Sequence, residues 1–177
     1  LDWSSFRRKL GSEGVDVEAA IAALLAAAAP GAARSARAEL VAVACDDLVH
    51  VHEIAEPITA AIVGRLDAVR AAPARIAVVE WLARMVFSFP SDSEFDQFND
   101  GLIPRMVAEI GGRLDALYPW LDDPDPIVAA DTLRLLHDVD RDAGRVARAL
   151  DAAVARGGLP AITARQILAG GTPKPPS

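Results

Sequence analysis

The chain has 177 residues, of which 52% are hydrophobic and only 5% aromatic, and its formal net charge is −7. That length can bury a real core, and the composition is that of a globular chain, so disorder is not the default. The acidity argues against a nucleic-acid partner, because such binders need cationic surface to displace phosphate counterions.

Alanine dominates, and Lys9 and Lys174 are the only lysines, so arginine carries nearly all the positive charge. Ala-rich stretches favour helices that approach closely. Cys45 is the one cysteine and lies in an apolar helical run, which predicts a small buried hydrophobe and no internal disulfide. The longest apolar run, AAIAALLAAAAPGAA, is broken by Pro30 and Gly31 and is too short to span a bilayer. With no signal-peptide pattern, a cytoplasmic protein without membrane contact is expected.

In chain order, DWSSFRRKL predicts a short first helix with Trp3, Phe6 and Leu10 on one side. Asp16 caps a second helix whose inward stripe is Val17, Ile21, Leu24, Leu25 and Ala28, stopped at Pro30–Gly31. Its partner turns Ala33, Ala36, Leu40, Val41 and Ala44 inward and Arg34, Arg37 and Glu39 outward. After the corner VHVHEIAEP, Pro57 suits the first turn of a helix carrying Ile58, Ile62, Leu66 and Val69. Pro73 opens the next, with Ile76, Val79, Leu82 and Val86 as its stripe.

Phe95, Phe98, Leu102 and Met106 keep helical spacing, but Gly101 and Pro104 predict a break or kink. Gly111–Gly112 is a second weak point, followed by a helix to Leu121. DDPDP is a turn. Asp125 then caps a helix opened by Pro126 and lined by Val128, Leu133, Leu136 and Val139. Val146, Leu150 and Val154 define another helix, and GGLP separates it from AITARQILAG. Residues 170–177 read as a flexible Pro/Gly tail.

The fold class is therefore all-α. Helix pairs recurring about every 40 residues suggest a stacked solenoid, although a compact bundle would carry the same stripes. LDALYPWLDDPDPIVAADTLRLLHDV, Leu114 to Val139, resembles a HEAT repeat: a helix with Leu117, Pro119 and Leu121, an Asp-rich turn, then a helix beginning Pro126 with Val128. Ala129 stands where that family has a basic residue, so its Asp–Arg ladder between repeats is not carried over. DWSSFRRKLGS and VHVHEIAEPITAAIVGRL are similar to stretches of actinobacterial HEAT-like proteins. The resemblance implies an α-α superhelix of antiparallel pairs, a single HEAT-like domain over residues 1–169, in a group whose members mostly have no assigned reaction.

Candidate chemistry is sparse. His50, His52 and Glu53 share one corner, yet they lack the His-Glu-x-x-His order of zinc proteases, and residues two apart do not share a helix face. A tight turn would bring them together, with His137 or an acid as third ligand. The expectation is a hydrogen-bonded corner that holds no metal. DVDRDAG lacks the calcium-loop Gly and Glu, having Ala143 and Ala149 there, and reads as a capping turn. Trp81 and Arg84, one turn apart, form either an aromatic–cation binding patch or a half-buried Trp between helices. No phosphate loop, nucleophile elbow or dinucleotide fingerprint is present, so no cofactor is expected.

These features favour a non-enzymatic interaction protein, a scaffold or an inhibitor of immunity type, whose concave face holds another, basic protein. The alternative is an enzyme or enzyme subunit of specialised metabolism with a small-molecule pocket near His50, His52 and Glu53. A third reading, a HEAT-like protein that binds DNA and excises damaged bases, needs a basic groove from Arg34, Arg37, Arg70, Arg75 and Arg84.

Overall fold

A computed structural model describes residues 2–6, 12, 14–46, 50–87, 89–90 and 101–170. The fold is all-α and divides into two compact units, Leu1–Arg113 and Leu114–Ser177.

In the first unit, the described part of the expected opening helix, residues 2–6, holds a 3-10 turn, Trp3–Ser5, which Phe6 leaves in extended conformation. The local hydroxyls compete with helix propagation: Ser4 donates to the Asp2 carboxylate at 2.6 Å, and Ser5 to the Asp2 carbonyl at 2.7 Å. Leu10 lies outside the described residues.

Helix α1, Val17–Ala26, starts at Asp16, whose carboxylate accepts from the Ala19 amide at 3.0 Å. It ends at Ala26, earlier than the expected stop. Pro30 is instead the first residue of α2, Pro30–Ala44, where its missing N–H costs nothing. Ala28 is accordingly exposed, and Val43 takes the inward place expected of Val41.

The corner holds β1, His50–Val51, and leads into α3, Ala55–Val63, and a 3-10 turn, Leu66–Ala68. Helix α4 spans Ala72–Val86, and β2, Phe89–Pro90, pairs in parallel with β1. Phe95 and Phe98 lie outside the described residues. Helix α5, Leu102–Gly111, begins after Gly101, which takes a left-handed φ of 76°. Pro104 sits in its first turn, where no intrahelical N–H bond is due, so no kink follows.

Helix α4 is the hub of this unit and packs on α1, α2, α3 and α5. Ala74, Ala77, Val78, Val79, Trp81, Leu82 and Met85 are all buried, a wider face than the four-residue stripe expected. Ile76 and Val86 are only partly buried, as are Arg75, Glu80 and Arg84 on the less enclosed half of the helix. Ion pairs fasten the surrounding helices: Arg37–Glu80 at 2.9 Å, Arg65–Glu18 at 2.7 Å and Arg105–Glu56 at 2.9 Å.

The second unit opens with α6, Leu114–Leu117, which tightens at Pro119 into a 3-10 segment, Tyr118–Asp122, instead of running on as α-helix. Asp125 caps α7, Pro126–Val139, through the Ile127 amide at 2.9 Å. Asp142 caps α8, Ala143–Arg156, through the Arg145 amide at 3.0 Å. Gly157 and Gly158, both at positive φ, make the turn into α9, Gly158–Leu168. That helix therefore starts three residues before the expected Ala161, with Pro160 in its first turn.

Helix α9 packs against both α7 and α8. One buried cluster joins Leu133, Val146, Ala149, Leu150, Ala153 and Ala164, with Tyr118, Leu121, Val154 and Ile167 partly buried against it, and Leu117, Val128, Ala130 and Leu135 are fully buried in the same unit. The expected tail beyond Gly170 lies outside the described residues. Among the described residues, no helix is long and apolar enough to cross a membrane.

Candidate functional site

On α8, Arg145, Arg148, Ala149, Ala152, Ala153 and Arg156 fall at spacings of three and four and so share one helix face. The alanines are too short to fill the space above them. They leave a cleft of about 280 Å³ within the second unit, with Leu121, Ala129, Leu133 and Pro160 completing its apolar surface. Tyr118 and Asp122 stand at its polar side with the three arginines. Ala129 and Leu133 are 1% exposed, whereas Arg148 and Ala152 are open to solvent, so the cleft is apolar below and cationic above.

Two of the arginines are committed to structure. Arg145 grips the Asp140 carboxylate with two bonds, 2.7 Å from Nε and 3.1 Å from Nη2, and reaches Asp115 at 3.1 Å. Its guanidinium also lies 4.9 Å from the centre of the Tyr118 ring. Arg156 bonds the Leu121 carbonyl and the Asp122 carboxylate, tying the end of α8 to the 3-10 segment. Arg148 differs. Among the described residues it has no hydrogen-bond or ion-pair partner.

The Asp140 side chain is 2% exposed and accepts from the Tyr118 hydroxyl at 2.7 Å and the Asp142 amide at 2.9 Å as well as from Arg145. Burial alone would raise its carboxyl; the bonds from Arg145, Tyr118 and the Asp142 amide outweigh it and hold the group below its ordinary value. Burial and the bond to Asp140 push the Tyr118 phenol well above its ordinary value. Asp140 is thus fixed as an anion and Tyr118 as a neutral donor at neutral pH. Neither is poised to exchange protons, which is what a general acid or base must do.

The sequence-selected residues lie elsewhere, in the first unit. His52 Nε2 pairs with Asp46 Oδ1 at 2.8 Å. The backbone closes the corner: the His52 amide donates to the Ala44 carbonyl at 2.8 Å, the Asp46 amide to the His50 carbonyl at 3.1 Å, and Val51 bridges Cys45. His50 and Glu53 are half-buried in the strand and the turn. Among the described residues, no three His, Cys, Asp or Glu side chains converge on a possible metal position. His137 is hydrogen-bonded to its neighbour Asp138 at 3.0 Å.

Trp81 is a correction. It is 0% exposed, not half-buried, and its Nε1–H donates to the Thr59 hydroxyl at 3.2 Å inside the core. It therefore forms no surface patch with the partly buried Arg84. Of the arginines proposed for a basic groove, Arg37 pairs with Glu80 and Arg75 donates to the Val69 carbonyl at 3.3 Å.

The cleft itself was missed. Its signal in the sequence is the Arg–Ala face of α8, beside the Val146, Leu150 and Val154 stripe that defines the helix. Comparison with protein-family models, curated proteins and solved structures found no match.

Proposed function

We propose that this is a non-enzymatic binding protein, a small helical-repeat module that holds a partner protein through its second unit. One observation carries the reading: the cleft presents Arg148, which pairs with no described residue, above an apolar floor, while Tyr118 at its polar side is held as a neutral donor to Asp140. Such a site is equipped to hold a ligand and not to move protons. Exposed Leu159 and Ile162, one turn apart on α9, add apolar contact area to the same unit. The HEAT-like reading of this module rests on the sequence of Leu114–Val139, of which the Asp-rich turn and α7 take the expected form while the first arm is a four-residue helix passing into a 3-10 segment.

Filling the cleft tests the proposal. Ala152 is exposed at the cleft and absent from the core, so Ala152→Trp blocks the space without displacing core side chains. Immobilised wild-type chain should retain a specific protein from an extract of its source organism, and the folded Ala152→Trp variant should lose it. An identical set of retained proteins would count against the cleft as the binding surface.

A further inference from the structure

We infer that the occupant of the cleft is the C-terminus of a partner polypeptide ending in an aliphatic residue, with its terminal carboxylate on Arg148. This rests on the reading that the cleft is a binding site and names the group it recognises. Three features of the cleft point the same way.

The first is its size. About 280 Å³ lies at the lower edge of ordinary small-ligand pockets, roughly 300–1,000 Å³, and takes a residue or two of chain but no packed helix. The second is its charge. Arg145, Arg148 and Arg156 line it with the acid Asp122; Asp122 is bonded to Arg156, and Arg145 to Asp140 and Asp115, so the cation left without a partner among the described residues is Arg148. An anion therefore complements it, even though the whole chain is acidic. Helix α9 contributes Pro160 from its first turn, which has no side-chain cap, so the positive end of that helix dipole adjoins the same space.

The third feature is the order of the layers. The apolar residues Ala129 and Leu133 are sealed beneath, and Arg148 is at the open side. An Asp or Glu side chain entering the cleft would carry its charge at the tip, into the apolar floor, where desolvation is unfavourable. A C-terminal residue carries carboxylate and side chain on one Cα. Its aliphatic side chain can fill the floor while its carboxylate remains at the rim, within reach of a two-pronged guanidinium.

The test uses short synthetic peptide pools, randomised except for the last residue, titrated against the intact chain. Each pool is made as the free acid and as the C-terminal amide, and hexanoate is titrated in parallel. Free-acid pools ending in Leu or Ile should bind, and the amides should bind about tenfold more weakly, the loss of a charge-assisted contact. Arg148→Ala should remove the acid–amide difference, and Arg148→Lys should restore part of it. Amides binding as well as acids would overturn the inference while leaving the cleft a peptide site. Hexanoate binding with no peptide binding would overturn it in favour of a small-molecule site. No binding of any pool would overturn it too, and Ala152→Trp capture would then decide separately whether the cleft binds protein at all.

Discussion

The two units bury their side chains to different ends. In the first, Trp81, Leu82 and Met85 on α4 are 0% exposed, enclosed from every side, and even the indole N–H is satisfied internally by Thr59. In the second, Leu117, Val128 and Leu135 are as fully enclosed, but on α8 Val146 and Ala149 retain 8% exposure and the face that carries Ala149 opens into the cleft. Four of the five exposed large hydrophobics among the described residues, Ile127, Leu159, Ile162 and Leu168, also belong to the second unit. Large side chains that interlock close a core; small ones on a charged helix face leave room for a ligand. The same alanine that permits tight helix packing in one unit makes a hollow in the other.

The largest expected effect sharpens the first half of this contrast. Trp81→Ala should destabilise the first unit by about 3–5 kcal/mol, measured by chemical denaturation, because it leaves a large cavity and removes the indole hydrogen bond to Thr59. Leu133→Ala should cost about 2 kcal/mol, the low end for a buried leucine, because one side of Leu133 already faces the cleft. A loss for Leu133 as large as that for Trp81 would mean that the core beneath the cleft is as closed as that around α4.

The charged network of the second unit should give it a particular acid response. A carboxylate held below its unfolded value, about 3.9 for Asp, stabilises the fold above that value, and the contribution is lost as pH falls through the folded one. Wild-type stability should therefore fall on acidification below about pH 4. Asp140→Asn should begin less stable at neutral pH and lose less on acidification. Asp131, whose carboxyl burial pushes upward, acts with the opposite sign but is common to both proteins, so the difference isolates Asp140. Parallel pH curves for the two proteins would remove Asp140 from the account.

How much of this was legible in the sequence follows from what periodicity records. Apolar period gave the helical class, and Asp16 and Asp125 marked helix starts through cap chemistry that is local by nature. Pro30 was misread because a proline after an apolar run looks like a stop, whereas Ala29 had already turned extended and Pro30 opened the next helix. The hub role of α4 was only partly legible: Val79 and Leu82 fall on the expected stripe, but Ala74, Ala77, Trp81 and Met85 are buried as well because α1, α2, α3 and α5 all pack on it. The candidate site was hardest. Histidine attracted attention because it is chemically versatile, but His52 is used to fasten Asp46 within a corner. Arg148 is one of many arginines until tertiary packing shows which have partners, and only three-dimensional placement supplies that.

Charge reversal at Arg148 tests the central claim, that this side chain serves binding and not the fold. Because Arg148 is exposed and pairs with no described residue, Arg148→Glu should change unfolding free energy by no more than about 0.5 kcal/mol. The protein partner that depends on an open cleft should be lost from the same preparation. Retention of that partner at wild-type affinity, with the fold intact, would contradict the account.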